Sequence, residues 1–276
     1  MVKINIVGGE SVDISQDRYV EHIPNKGKNI KVIFLDASTK KTNILEKEST
    51  WLIKVAHIAM NDWKVINKGI DCWLTKKRYD RTDMRHQLPI EELNYAKKLS
   101  KKFPEYIFAL DLALISVRRR EYDFLRQKKL IGLAKETTLR TDTDDLFNVF
   151  LCAQSRKLKK SAPWYYFPIY KIKPSTVIGN TTVVKMFDNT PAFRTDFVNI
   201  EISDVMDILF FYSCNPIVPG YPFPFWLVHE GSQISDSELI QKTVDELEKT
   251  TQHTEDKELL KSYRIQMSWM KSFRRL

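Results

Sequence analysis

The chain has 276 residues and a mass of 32.5 kDa, enough for one large domain with a substantial buried core. Hydrophobic residues make up 43% of it, a globular rather than disordered composition, and no run approaches the roughly 18 apolar residues of a membrane span. The 44 Lys and Arg residues outnumber the 35 Asp and Glu, and the resulting charge of +9 favours a polyanionic partner such as nucleic acid.

Cysteine usage and the amino terminus predict the compartment. Cys72, Cys152 and Cys214 are odd in number and far apart, which argues against a disulfide framework and a thiolate zinc site. The chain starts without a basic-then-apolar leader, so we expect a cytoplasmic protein with no membrane association. The sequence contains no phosphate-binding loop motif and no dinucleotide-binding glycine motif.

The first strong element is the apolar run 29–38, which stops on a carboxylate. Its β-branched and aromatic residues, bounded by polar clusters, predict a buried strand with Asp36 at the carboxyl end. Ligands gather at that edge of an open α/β sheet, so Asp36 is a candidate metal ligand or base. The alternative is an ordinary Asp in a strand-to-turn transition.

Two helical patterns follow. Residues 52–65 show apolar residues at roughly helical spacing, and His57 within them is more typical of a packed histidine than of a ligand. Pro89 precedes an apolar helical pattern that continues to Phe103, which predicts a helix with proline in its first turn. Glu91 and Glu92 then suit the helix dipole, and the functional alternative is that one of them enters a metal site.

A second apolar run, 106–115, carries one charge, Asp111, in its middle. A buried carboxylate without a partner costs several kcal/mol, so Asp111 must be paired, protonated or bound to a cation. Asp36 and Asp111 on neighbouring strands would together form a site for a hard divalent ion.

Basic residues crowd the middle of the chain. A basic helix is predicted at 117–127, a short buried strand at 130–135 that ends on Lys135, and a helix at about 144–158. These cations suit a phosphate backbone, although solvated helix faces are the alternative. The candidate DNA-binding residues are Arg118, Arg119, Arg120, Lys157, Lys159 and Lys160.

The carboxyl-terminal third contains a proline-rich loop. Strands are predicted at 164–172 and 181–186, and Ser203 is a plausible cap for a helix over 205–214. Four prolines between 216 and 224 stiffen the loop that carries Tyr221, and a helix starting at Pro224 would present His229. A capping box at 235–238 predicts another helix, and an aromatic-rich helix is predicted at about 254–273.

Four of these segments, in this order, together resemble the NurA family of archaeal and bacterial DNA-repair nucleases. The motifs are Asp36-Ala37-Ser38, the run 110–114 that reads Leu-Asp-Leu-Ala-Leu, Gly132-Leu133-Ala134-Lys135, and the Gly-Tyr-Pro-Phe-Pro loop 220–224 followed by His229. The match extends from about residue 29 to 240.

The resemblance implies a single domain over 1–276 with an α/β, RNase H-like (Piwi-like) core, in which a mixed central sheet is flanked by helices. It implies a DNA nuclease of the 5′–3′ exonuclease and single-strand endonuclease type that uses Mn²⁺, with Mg²⁺ as the other candidate. A homodimer and a HerA-like hexameric translocase as partner in end resection are also implied. The functional residues would be Asp36, Glu91 or Glu92, Asp111, Tyr221 and His229, with His229 as a metal ligand or proton-transfer group and Lys135 stabilising charge on the phosphate.

Two departures from the family pattern leave rival interpretations open. Ala37 and Leu112 replace family glycines that follow the two Asp residues, and added side chains could crowd backbone near a metal. The rivals are an inactive subunit that docks on a HerA-like motor, and a nucleic-acid-binding protein without metal chemistry.

Overall fold

The computed structural model describes residues 2–5, 11–14, 18–25, 29–42, 50–75, 81–114, 127–134, 140–141, 145–171 and 179–250. The strands in these ranges are β1 (Val2–Asn5), β2 (Ser11–Ile14), β3 (Tyr19–Glu21), β4 (Lys31–Thr42), β5 (Thr50–Asn61), β6 (Lys64–Leu74), β7 (Ile107–Leu110), β8 (Leu130–Ala134), β9 (Arg140–Thr141), β10 (Trp164–Lys171), β11 (Asn180–Lys185) and β12 (Ala192–Val198). The helices are α1 (Arg81–Lys102), α2 (Phe147–Lys157), α3 (Ile202–Ser213), α4 (Phe223–Ser232) and α5 (Asp236–Thr250).

Nine strands form one mixed sheet in the order β3-β10-β11-β12-β8-β7-β4-β5-β6. Strands β4, β5 and β6 pair as antiparallel hairpins, whereas β7 is parallel to both β4 and β8. This sequence of two hairpins, a crossover through α1 and two parallel strands is the order of an RNase H-like core. The predicted fold class, α/β with a mixed central sheet flanked by helices, is confirmed.

The two faces of the sheet bury separate cores because side chains alternate along β4. Val32 and Phe34 point to the face covered by α3 and α4, where Phe225 and Val228 are also buried. Ile33 and Leu35 point to the opposite face, which α1 covers. Asp36 shares the α4 side by the same alternation.

The helical interpretation of residues 52–65 is wrong. These residues lie in the β5–β6 hairpin, whose turn places Asp62 at φ 48°. Strand β5 is buried on both faces, so its apolar residues are nearly continuous, and a continuous run contains helical spacings by coincidence. His57 is buried and hydrogen-bonds Tyr95 and Asn67, as expected for a packed histidine.

The expected helix start at Pro89 is also wrong, since α1 begins eight residues earlier and holds Pro89 in its interior. The first turns of α1 are polar, so apolar periodicity could not reveal them, and Pro89 removes one hydrogen bond of the helix. Helix α3 begins at Ile202, so Ser203 lies inside it and is not its cap.

Strand β12 was not predicted, because Arg194, Thr195 and Asp196 read as polar loop residues. All seven of its residues are buried, and Arg194 pairs with Asp196 at 3.1 Å between Nε and Oδ1. Thr181 donates a further hydrogen bond to Asp196 at 2.7 Å. The two charged groups inside this strand, Arg194 and Asp196, are thus satisfied by each other and by Thr181 of the neighbouring strand β11.

The other predicted elements appear within a few residues of their expected bounds. The basic helix at 117–127, Lys135 and the helix at 254–273 lie outside the described residues. Among the helices that are described, none combines the length and hydropathy needed to cross a bilayer.

Candidate active site

Asp36 lies on β4, and Asp111 lies beside it, directly after the end of the neighbouring parallel strand β7. Leu35 of β4 is in register with Leu110 of β7, and the Asp111 amide donates to the Leu35 carbonyl at 3.1 Å. The residue after each of these leucines is an aspartate, and the parallel pairing brings the two carboxylates to one place.

The predicted positions of the two acids within their strands are both wrong. Strand β4 continues six residues past Asp36 because residues 37–42 keep pairing with β5, so Asp36 is a mid-strand residue. Asp111 follows the last residue of β7 and is not in the middle of a strand. The sequence run continued beyond Leu110 because residues 112 and 114 remain apolar after the strand has ended.

Helix α4 delivers His229 and Ser232 to Asp36. The Nδ1 atom of His229 lies 2.9 Å from Asp36 Oδ2 and 3.9 Å from Asp111 Oδ2. Ser232 is fully buried and donates to the same Asp36 oxygen at 2.8 Å. The stiff loop before α4 positions the start of this helix, because Pro222 and Pro224 fix its first turn. The other end of the helix lies close to β5, since a Cβ added at Gly231 would be 3.3 Å from the Cβ of Ala56.

Glu92, not Glu91, is the acid of α1 that reaches the cluster. Glu92 is 3% exposed, and its Oε1 atom has no hydrogen-bond partner among the described residues. Burial, followed by the negative charges of Asp36 and Asp111, raises the pKa of Glu92 well above its ordinary value, and a hydrogen bond with the Asp111 backbone opposes that rise. Glu91 instead accepts a hydrogen bond from Gln87 at 2.8 Å.

Tyr221 lies beside Asp111, at the end of the proline-rich loop. Its ring packs against Phe193 and Phe225. Burial is the largest cause of a strong rise in the pKa of the Tyr221 hydroxyl, and the charge of Asp111 and a hydrogen bond to that side chain add to it. The hydroxyl therefore stays protonated and is a donor next to the acids. The predicted inward orientation of Tyr221 agrees with this position.

Sequence reasoning missed two residues that contact His229. Gln233 Nε2 lies 3.1 Å from His229 Nε2, and Ser232 donates to the His229 carbonyl at 3.0 Å. Their spacing of three and four residues after His229, on the same helix, was the available signal. Lys54 fixes this helix end by donating to the Gln233 carbonyl at 2.9 Å and pairing with Glu238 of α5.

The donor set suits a hard divalent cation. Asp36, Asp111 and His229 each offer one ligand atom, and these atoms lie within 4.8 Å of one another. Buried Glu92 adds a further oxygen, because its Oε1 atom has no partner among the described residues and a bound cation would stabilise the ionised form that burial, Asp36 and Asp111 disfavour. Carboxylate oxygens with one imidazole are the ligands of Mg²⁺ or Mn²⁺, so the residues present fit such an ion.

The predicted DNA-binding lysines do not join this cluster. Lys157 ends α2, and Lys159 and Lys160 are in the turn that leads to β10, a strand five positions from β4 in the sheet. At ordinary strand spacing that separation is about 24 Å. Arg118, Arg119, Arg120 and Lys135 lie outside the described residues.

Solved structures with the same architecture include NurA nucleases. The NurA nuclease from Sulfolobus solfataricus aligns with a TM-score of 0.57 at 14% identity, over 86% of this chain and 91% of that one. A second NurA structure gives 0.61 at 9% identity, over 87% and 92%. Neither the protein-family models nor the curated protein sequences contain a match. At these identities the likeness concerns the fold, and the fold is the NurA-like one expected from the motifs.

Proposed function

We propose that the protein is a metal-dependent nuclease that hydrolyses DNA at the cluster of Asp36, Glu92, Asp111 and His229. The observation that carries the proposal is the group formed by Asp36, Asp111 and His229, whose ligand atoms lie within 4.8 Å of one another. Buried Glu92 is near enough for the two aspartates to raise its pKa, and its Oε1 atom has no hydrogen-bond partner among the described residues. Carboxylates placed this close repel one another unless a proton or a cation is bound among them. The NurA-like fold and the net charge of +9 agree with a nucleic-acid substrate.

Asp36, Asp111 and His229 would hold the ion or ions, and Glu92 would supply a further oxygen. Bound there, a divalent metal would lower the pKa of a water and neutralise the leaving oxygen of a phosphodiester. We propose Mn²⁺ over Mg²⁺, because His229 adds a nitrogen donor to an oxygen set.

The residues around the acids perform the remaining tasks. Ser232 and His229 both bond Oδ2 of Asp36, which fixes the orientation of that carboxylate. His229 is 41% exposed on its side chain, so it can exchange a proton with the solvent-facing side of the site. Tyr221, protonated beside Asp111, can donate a hydrogen bond to a phosphate oxygen.

The test is cleavage of linear single- and double-stranded DNA by the purified protein with Mn²⁺, and its loss on chelation. Asp36→Asn and Asp111→Asn should each lower the rate at least about 10²-fold while remaining folded. Glu105→Gln is the matched control, because that carboxylate is 77% exposed and pairs with Lys31 away from the cluster. Undiminished cutting by either aspartate variant would remove these acids from the site.

The resemblance to NurA extends the proposal to a role in DNA end resection, as a homodimer with a HerA-like hexameric translocase. A cleavage polarity of 5′ to 3′ and single-strand endonuclease activity belong to the same proposal. Light scattering at tens of micromolar should give twice the mass of the chain, and the protein should co-purify with its cognate translocase. A monomeric mass would contradict the homodimer, and a failure to co-purify would contradict the partnership with the translocase.

A further inference from the structure

Two aromatic side chains precede His229 on α4, one by three residues and the other by six. Phe223 and Trp226 stack on each other with ring centroids 5.7 Å apart and planes inclined by 20°. Both are half-buried, and neither belongs to the three apolar clusters found in the described part of the chain. Packing into those cores therefore does not explain the pair.

The position of the pair on the helix relates it to the acid cluster. The buried face of α4 consists of Pro224, Phe225, Val228 and Ser232, and Trp226 is on the other side. Trp226 precedes His229 by three residues, which makes the two side chains surface neighbours about 5–6 Å apart at Cβ. His229 in turn contacts Asp36. A group held on Trp226 is thus next to whatever the acids bind.

The chemistry of this face selects a base over a phosphate. Glu230 is exposed four residues after Trp226, and an acid at that place disfavours a negatively charged group. Aromatic faces bind unstacked nucleobases without sequence preference. A base inside a duplex is stacked on its neighbours and cannot offer its face.

We infer that Phe223 and Trp226 form a stacking platform for an unpaired base adjacent to the scissile phosphate, which makes single-stranded DNA the preferred substrate of the site. The inference rests on the proposed function, because the scissile phosphate is placed beside the platform only if the acid cluster hydrolyses DNA. Binding can nevertheless be measured without cleavage, so the two can fail separately.

The experiment measures binding of a fluorescein-labelled oligo(dT) and of a dumbbell duplex, in EDTA, to the full chain carrying Asp36→Asn. The dumbbell is closed by polyethylene glycol linkers, so it has neither free ends nor unpaired bases. In that background Trp226→Leu keeps an apolar side chain at the position but removes the ring face. We expect it to weaken oligo(dT) binding at least about 5-fold, the low end for the loss of one base-aromatic stack. Binding of the dumbbell should be unchanged.

Two further variants separate stacking from general damage. Trp226→Phe retains a ring and should bind oligo(dT) within about 2-fold of the parent. Trp63→Ala is the matched control, since Trp63 is 45% exposed beside Phe211 and Tyr212 at the β5–β6 turn, about 17 Å along β4 from Asp36. It should bind both ligands as the parent does.

Oligo(dT) binding by Trp226→Leu that equals the parent would overturn the platform, and so would equal losses for oligo(dT) and the dumbbell. Cleavage by the wild-type protein with unchanged binding by Trp226→Leu would leave the nuclease proposal standing without the platform. Ring-dependent binding by a protein that never cleaves DNA would leave the platform standing without the nuclease.

Discussion

The replacement Glu92→Gln tests whether the buried acid of α1 is held for a cation. Glutamine has nearly the same shape, so the substitution removes charge from a side chain that is 3% exposed without opening a cavity. In the metal-free protein the ionised form of Glu92 is opposed by burial and by Asp36 and Asp111. We therefore expect metal-free Glu92→Gln to be more stable than the wild type at neutral and alkaline pH.

The sign and size of this effect follow from linkage. Glu92 has a folded-state pKa well above the ordinary 4.5, so the folded protein binds more protons than the unfolded chain above pH 4.5 and loses stability as the pH rises. The wild type should lose about 1.4 kcal/mol per pH unit relative to Glu92→Gln until the folded pKa is reached. For a chain of this size that corresponds to about 3 °C per pH unit in melting temperature.

Bound metal should stabilise the wild type more than it stabilises Glu92→Gln. Mn²⁺ at 100 times its dissociation constant would stabilise the wild type by about 2.7 kcal/mol. Glu92→Gln should gain clearly less, because it has lost one oxygen charge near the ion. Thermal melts of both proteins in EDTA and in Mn²⁺, each at pH 5 and pH 8, give the melting temperature under the four conditions. Glu91→Gln is the control, because Glu91 bonds Gln87 outside the cluster.

The reasoning would be refuted by a Glu92→Gln variant that melts below the wild type by the same amount at both pH values in EDTA. That result would mean that Glu92 stabilises the fold as an ordinary buried hydrogen-bonding group. An undiminished Mn²⁺ shift in the same variant would separately exclude Glu92 from the metal site.

Three further outcomes are expected. Tyr221→Phe should keep its fold and lower the rate of DNA cleavage about 10-fold or more, since only a donor beside Asp111 is lost; an unchanged rate would assign the ring to packing. Ser232→Ala should weaken Mn²⁺ binding about 10-fold or more by freeing the Asp36 carboxylate, measured by titration calorimetry; unchanged affinity would contradict this. Gly220→Ala should lower the melting temperature by several degrees, because φ is +80° and a Cβ would lie 2.4 Å from Thr190; an unchanged melt would show that the loop adapts.

The sequence revealed the members of the site better than the elements that carry them. Asp36 and Asp111 were found because a charge within an apolar run is chemically conspicuous, whatever the strand bounds are. The choice between Glu91 and Glu92 could not be made, since it depends on how α1 is rotated over the sheet, and α1 begins in polar turns that carry no apolar period. Ser232 and Gln233 were missed because a hydroxyl and an amide have no distinctive pattern until His229 is known to face Asp36.

Strand β12 and the β5–β6 hairpin were misread for a common reason. Sequence patterns report which side chains are polar, but not which polar groups will satisfy one another inside the protein. Arg194 and Asp196 sit in a buried strand because they bond each other, and β5 is apolar on both sides because helices cover both faces of the sheet. Both features depend on contacts in the tertiary structure, which the local sequence pattern does not report.

The structure also bears on the two residues that replace the family glycines. Ala37 and Leu112 pack against the core under α1, whereas Asp36 points to the α4 side. The backbone of Leu112 lies close to Gly132 of the neighbouring strand β8. A Cβ added at Gly132 would lie 2.6 Å from the Leu112 carbonyl oxygen, so this close approach requires glycine there. These two side chains are therefore directed away from Asp36, on the side of the sheet from which α1 brings Glu92. The case for an inactive docking subunit rested on that crowding, and on the Asp36 side of the sheet the crowding does not arise.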